Sequence, residues 1–303
     1  MKLLITGATG LIGRKLTENL LKKGFEVHYL TTSKSKTNSL KGAKGFYWNP
    51  FQNQIDSASF LGVDTIVHLA GSTVSKRWTK SYKEKIYTSR IKSTQILYKG
   101  LKDLKGAHQV KHLVSASAIG IYPSDFDQHL NEEAVVKPIS FMEKVVFDWE
   151  KEVNTFRSEG LIIAKLRIGL VLSKKGGVLG TLKIPTYFGL GAAFGNGKQG
   201  QSWIHMDDLV GIFLKAVMDQ WDGEFNAVAP NPVSQSKLMA ALSRALKRPY
   251  FLPPIPAFLI KIGAGEMSDL VLDSHWISAN KIINHGYSFH YDDIQEAIND
   301  LIR

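Results

Sequence analysis

The sequence predicts an α/β fold, a doubly wound parallel sheet with a smaller C-terminal α/β lobe. Three observations predict it. Short apolar runs alternate with longer amphipathic stretches through the first 170 residues. Gly7, Gly10 and Gly13 separate the first apolar run from the first helical stretch. After residue 170 the alternation stops and a glycine-rich stretch begins. Strand–helix alternation makes βαβ units, and their right-handed crossovers cover a parallel sheet on both faces.

Each element has its own signal. Lys2–Thr6 reads as a buried strand. Leu11, Ile12, Leu16, Leu20 and Leu21 recur at helical spacing over Leu11–Lys23, and Gly24 ends that helix. Glu26–Leu30 and Thr65–Leu69 read as strands, and the aromatic cluster of Tyr47, Trp48 and Phe51 as a turn packed on the sheet. Lys80–Leu104 is a long helix, Lys111–Ser115 a strand, Phe141–Arg157 a helix and Leu161–Leu166 a strand. Residues 1–170 are expected to form the first domain. Residues 171–303 are expected to be mainly a C-terminal substrate lobe, with some segments returning to the sheet. The glycines of Ser173–Gly200 suit a substrate lid or a surface loop. Ser234–Leu246, Ile255–Ile262 and Tyr291–Ile302 read as helices of the lobe.

Composition narrows the chemistry. The absence of cysteine excludes disulfides, thiol nucleophiles, Cys-ligated zinc and iron–sulfur clusters. It fits a reducing compartment, and a cytoplasmic location is expected. The formal charge of +11 is uneven: residues 72–112 carry eleven Lys/Arg against two acids, and 113–160 carry four against nine. These cations fall largely on one helix without a nucleic-acid reading module, so no nucleic-acid partner is expected. No membrane partner is expected either. Pro253, Pro254, Pro256 and Lys261 break the longest apolar stretch, Phe251–Gly265, and Gly7 to Gly13 cut the N-terminal run too early for a signal peptide. His108 and His112 lack a third ligand, so no metal is expected.

The glycine loop carries the strongest chemical signal. Thr6-Gly7-Ala8-Thr9-Gly10-Leu11-Ile12-Gly13 has the pattern G-x-x-G-x-x-G between a strand and a helix, a Rossmann-like dinucleotide fingerprint. Gly7 permits the tight turn, Gly10 brings backbone N–H groups to a pyrophosphate, and Gly13 lets helix and strand pack closely. An NAD site wants an acid about 20 residues later, to bind the ribose hydroxyls. None occurs between Glu26 and Asp56. Thr31, Thr32, Ser33, Lys34 and Lys36 stand there instead, and can meet a 2′-phosphate. The expected cofactor is therefore NADP(H). The alternative is that the two lysines only face solvent.

Further motifs carry a resemblance. His68-Leu69-Ala70-Gly71 closes one strand, Arg77-Trp78-Thr79 and Ser89-Arg90-Ile91 follow, and Ser115-Ala116-Ser117-Ala118-Ile119-Gly120-Ile121-Tyr122 ends another. Arg167-Ile168-Gly169-Leu170-Val171 and Ser202-Trp203-Ile204-His205-Met206-Asp207-Asp208 come later, then Pro256-Ala257-Phe258 and Gly265-Glu266-Met267. With the glycine loop, these resemble the extended short-chain dehydrogenase/reductases. Within them the chain is similar to an atypical branch, the YfcH-like epimerase family with its own C-terminal domain.

The resemblance implies cofactor contacts at Gly7, Thr9, Gly10, Leu11, Ile12, Gly13, Thr31, Thr32, Lys34, Leu69, Ala70, Arg90, Ser115, Gly169 and Val171. It also implies a catalytic Ser and a Tyr-x-x-x-Lys pair on a helix. Ser117 or Ser115 can fill the serine role, but Phe141 and Val145 stand where Tyr and Lys belong. Arg90 takes the place of the usual Asn. Tyr122 is the replacement proton donor if it swings over the nicotinamide, and a packed loop aromatic if not. Lys144 reaches the site only if its helix is rotated, and Tyr98-x-x-x-Lys102 falls on an outer helix. Arg77, Trp203 and His205 are substrate-side candidates, although His205 can equally brace the lobe through Asp207 or backbone. The expected activity is hydride transfer to or from a carbonyl or hydroxyl carbon of a small molecule, as a reductase or a nucleotide-sugar-epimerase-like protein. The alternative is an NADP(H) sensor or scaffold without turnover.

Overall fold

The computed structural model describes all 303 residues. In its first half, β1 (Lys2–Thr6), α1 (Leu11–Lys22) and β2 (Glu26–Thr31) are followed by β3 (Lys44–Asn49), β4 (Gln54–Ile55) and β5 (Thr65–His68). Next come α2 (Lys80–Lys102), β6 (His112–Ala118), β7 (His129–Leu130), α3 (Phe141–Asn154) and β8 (Ile162–Ile168). The second half begins with β9 (Leu170–Ser173), β10 (Gly176–Gly177), α4 (Val178–Tyr187), β11 (Gly200–Gln201) and β12 (Trp203–His205). It continues through α5 (Met206–Met218), β13 (Gly223–Ala227), β14 (Val233–Ser234) and α6 (Gln235–Ala245). The chain closes with α7 (Ala257–Ala264), α8 (Asp269–Leu272), β15 (Trp276–Ile277), α9 (Asn280–Asn284) and α10 (Ile294–Ile302).

Eight strands form one sheet in the order β13-β8-β6-β5-β1-β2-β3-β4, parallel except for the β3–β4 edge pair. The chain moves outward from β1 through β2 to β3, then returns to the other side of β1 at β5. With right-handed crossovers, this reversal puts helices on opposite faces. Accordingly α1 packs with α5, and α2 with α3. The reversal opens a crevice at the carboxyl ends of β1 and β5, where ligands bind in such sheets.

A core of 44 buried residues fills both sides of this sheet, including Leu3, Leu4, Ile5, Ile66 and Val67 from its central strands. That core also takes Ile204, most of α5, Phe225 and Ile282, so segments well beyond residue 170 return to the main sheet. A second core of 14 residues, among them Leu172, Leu182, Trp203, Leu242 and Ile298, holds the C-terminal lobe together.

Two local readings differ from the structure. Tyr47 and Trp48 belong to strand β3, with Trp48 buried and Phe51 exposed, rather than to a turn. The glycine-rich stretch is only partly a loop: it contains α4, which buries Leu179 and Leu182 in the second core.

Candidate cofactor and active site

The glycine loop leaves β1 at the crevice. Gly7 has φ +68°, and a Cβ there would lie 2.7 Å from the Leu69 carbonyl oxygen. At Gly13 a Cβ would collide with the Gly7 carbonyl and the Ala8 Cα. Gly10 caps α1 in extended conformation without any side-chain hydrogen bond, and no acid occupies the first turn. The helices α2, α3, α5, α6 and α10 have a side chain at this position accepting a backbone N–H, whereas α4, α7, α8 and α9, like α1, have none. What sets α1 apart is the glycine turn in front of it, which leaves its first N–H groups open to an anionic ligand where the helix dipole favours negative charge.

Opposite the loop, the end of β5 is fixed by residues that sequence reasoning passed over. The Thr6 Oγ1 accepts hydrogen bonds from the N–H groups of Leu69, at 3.0 Å, and Ala70, at 3.1 Å. Its own proton must then go to the Nδ1 of His68, 2.8 Å away. This fixes the tautomer: the His68 Nε2–H donates to the Thr94 Oγ1 at 3.0 Å. Complete burial pushes the His68 pKa down to about 3, so the ring is neutral. The glycine loop, Leu69 and Ala70 are thus brought together as expected from their motifs.

Arg90 borders the same crevice from α2. One guanidinium nitrogen donates to the Ser72 and Ile86 carbonyls, at 3.2 and 3.0 Å. The group lies over the Trp149 ring and beneath Gly71, and no carboxylate pairs with it. Burial lowers its pKa to about 10. On the far side, a Cβ at Gly177 would lie 3.4 Å from the Val171 carbonyl oxygen and 3.9 Å from the Leu11 Cδ2. Gly169 serves packing, since a Cβ there would strike the Ser202 carbonyl. At the end of β2, Thr31 is buried, Thr32 and Lys34 are exposed, and the Lys34 ammonium lies 5.3 Å from the Tyr47 ring centre.

These features fit a bound dinucleotide: an uncapped helix start behind a glycine turn, a cradle that a Cβ would fill, and a half-buried cation without a carboxylate partner. Gly7, Thr9, Gly10, Leu11, Ile12 and Gly13 would hold its pyrophosphate. Leu69, Ala70 and Arg90 would border its ribose.

The expected catalytic residues are placed differently. Strand register sets Ser117, Arg167 and Asn226 in one row across β6, β8 and β13, and Ser115, Lys165 and Glu224 in the next. The Ser117 Oγ donates to the Glu150 Oε1 at 2.6 Å, and Arg167 grips both Glu150 oxygens at 2.9 Å. Tyr122 is 1% exposed; its hydroxyl donates to the Asn226 Oδ1 and accepts from Arg167, both at 2.8 Å. Burial raises the Tyr122 pKa, against the nearby Arg167 charge. Burial also opposes the Arg167 charge, but Glu150 and Tyr122 hold its pKa above the usual value. Ser117 and Tyr122 are brought together, but as members of a buried network rather than as free proton donors. The Ser115 hydroxyl is likewise buried, on the Ala116 carbonyl.

The positions of the missing Tyr and Lys are filled by an apolar cluster. Val145 is fully buried with Trp78 and Ile86, and Phe141 meets Trp78 edge-on at 5.4 Å. Lys144 is exposed, and Tyr98 bonds Ser158 on the outer side of its helix. Arg77 is exposed beside the buried Trp78.

Two substrate candidates become structural. Trp203 lies in the second core, with its indole N–H on the Asn231 carbonyl at 3.0 Å. His205 is buried and caps α5, its Nδ1 accepting from the Asp207 N–H at 3.1 Å. It stacks on Tyr291, and burial lowers its pKa. This is the bracing role that the sequence left open. A carboxyl that no motif flagged lies near the start of α3. Burial, and then the charges of Asp269 and Glu143, raise the Asp273 pKa to about 6.

Known proteins bear on this geometry. Residues 3–227 match the NAD dependent epimerase/dehydratase family, and residues 255–301 match a domain of unknown function, DUF1731. An epimerase family protein of Staphylococcus aureus strain MRSA252 is 34% identical over 300 residues, covering 99% of this chain and 98% of that one. The structure of the human epimerase family protein SDR39U1 with NADPH superposes with a TM-score of 0.86 at 24% identity, over 100% of this chain and 99% of that one. A nucleoside-diphosphate sugar epimerase from Corynebacterium glutamicum gives a TM-score of 0.80 at 32% identity, over 100% of this chain and 58% of that one. The chain therefore belongs to the NAD dependent epimerase/dehydratase family, with the fold of the extended short-chain dehydrogenase/reductases.

Proposed function

We propose that the protein binds NADP(H) and transfers hydride to or from a carbonyl or hydroxyl carbon of a small molecule. The observation that carries the cofactor choice is the end of β2. Exposed Thr32 and Lys34 stand there, and no acid occurs between Glu26 and Asp56 to bind a free 2′-hydroxyl. The human relative solved with NADPH is consistent with this choice. When bound, the nicotinamide supplies or accepts the hydride.

The chain's own residues would do the rest. The start of α1 neutralises the pyrophosphate, and Thr6 with His68 holds Leu69 and Ala70 rigid against the ribose. The cluster of Trp78, Phe141 and Val145 excludes water from the place where the usual Tyr and Lys would act. Proton exchange falls to another group.

The same apolar cluster favours a second reading, a sensor that binds NADP(H) without turnover. Incubation with NADPH and a panel of carbonyl compounds separates the two, with the absorbance of the reduced nicotinamide as readout. Stereospecific turnover of any compound supports the enzyme. Tight NADPH binding with no turnover on any compound supports the sensor.

A further inference from the structure

One face of the C-terminal lobe combines apolar exposure with an excess of positive charge. Residues 174–206 and 225–265 contain no Asp or Glu, yet carry nine Lys and Arg between them. Acids in the neighbouring segments hide this in the summed charge of the lobe. Within it, α7 is six-eighths apolar and buries none of its residues. Phe258 is 62% exposed, Ile262 73%, and the preceding Phe251 73%. A second apolar ridge runs along the end of α4, through Ile184, Tyr187, Phe188 and Leu190, all at least half exposed.

The two ridges are joined. The Ile255 N–H donates to the Ala193 carbonyl at 2.8 Å, and its carbonyl accepts from the Gly195 N–H at 2.9 Å. The Arg248 guanidinium lies 4.7 Å from the Tyr187 ring centre. Lys183, Lys247, Arg248 and Lys261 are exposed on or beside the same elements. A joined apolar surface of this kind, with aromatic rings and a rim of cations, marks an interaction site rather than ordinary exposure.

The geometry points to docking of this face on an anionic phospholipid surface. Aliphatic and aromatic side chains enter the acyl boundary, while lysine and arginine heads meet the phosphates. The sign of the charge decides between occupants. A second copy of the chain would set Lys183, Lys247 and Arg248 against the same cations, and the exposed acid beside α7, Glu266, is already paired with Lys83. No helix is long and apolar enough to cross a membrane, so the protein would lie on the surface. This departs from the expectation of no membrane partner, which rested on the lack of a spanning segment. The prolines that break Phe251–Gly265 as a span leave it as a short exposed ridge.

The test is sedimentation with phosphatidylcholine vesicles and with phosphatidylcholine–phosphatidylglycerol vesicles, using the full chain. The wild type should bind the mixed vesicles, less so as salt rises, and bind the neutral ones weakly. Phe258→Ser with Ile262→Ser should abolish binding, with circular dichroism unchanged because both side chains are exposed. Lys247→Ala with Arg248→Ala should weaken it by about fivefold per charge. Ile139→Ser, an exposed apolar change in another segment, should leave it unaltered. Failure to bind mixed vesicles at low salt overturns the inference. So does binding indifferent to Phe258→Ser with Ile262→Ser, or a wild-type dimer that these substitutions dissociate.

Discussion

At the scale of single residues, His68 shows how a buried polar side chain organises the cofactor crevice. Its neutral ring accepts from Thr6 and donates to Thr94, and Thr6 is thereby oriented to hold Leu69 and Ala70. The pKa of about 3 in the folded protein lies below the ordinary 6.5, so the unfolded chain binds the proton first as pH falls. Stability from this residue is complete above about pH 6.5 and is lost progressively down to about pH 3. Between pH 7.5 and pH 5 the loss should be about 2 kcal/mol. Urea unfolding at the two pH values should show it, and His68→Gln should flatten the dependence by that amount. An unchanged dependence in His68→Gln would remove His68 from the account. Residue identity was legible at Gly7 and Gly13, where backbone contact forbids a side chain. It was not legible at Trp203, His205 and Tyr122. Their types suit a pocket and a core equally well, and only tertiary packing assigns them to the core.

At the scale of elements, the starts of α1 and α3 differ. α3 begins with a capping box: Ser140 accepts from the Glu143 N–H, and Glu143 accepts from the Ser140 N–H. α1 begins at Gly10 with no cap. The first arrangement secures the helix; the second reserves its N–H groups for a ligand. Ser140→Ala should cost about 1 kcal/mol in chemical unfolding and leave NADPH affinity unaltered. A large loss of affinity would mean that α3 contributes to the cofactor site. Most main elements were readable from apolar periodicity, within a few residues at their ends. β13 was missed because Glu224 and Asn226 break the apolar pattern. Their partners, Lys165 and Tyr122, lie far away in sequence. β3 was missed because its aromatic run, Phe46-Tyr47-Trp48, suits a turn packed on the sheet as well as a strand.

At the scale of the whole molecule, the buried Arg167–Glu150 pair ties the sheet to α3, and Tyr122 and Asn226 extend the tie to the returning strand. Removing one partner leaves the other charged and buried. Arg167→Met should therefore destabilise by about 3–5 kcal/mol, and the added change Glu150→Leu should recover much of it. A small effect of Arg167→Met would show that the network is not tightly coupled. The doubly wound sheet was legible because its alternation is local. The network was not, because it joins β6, α3, β8 and β13 across more than a hundred residues. The central claim is that the crevice between β1 and β5 accepts NADP(H). Calorimetric titration of the wild-type protein with NADPH and with NADH tests it most directly. The account predicts NADPH tighter by about tenfold or more, the worth of a charge-assisted contact to the 2′-phosphate, and a preference that shrinks in Lys34→Glu. Equal affinity, or tighter binding of NADH, would contradict it.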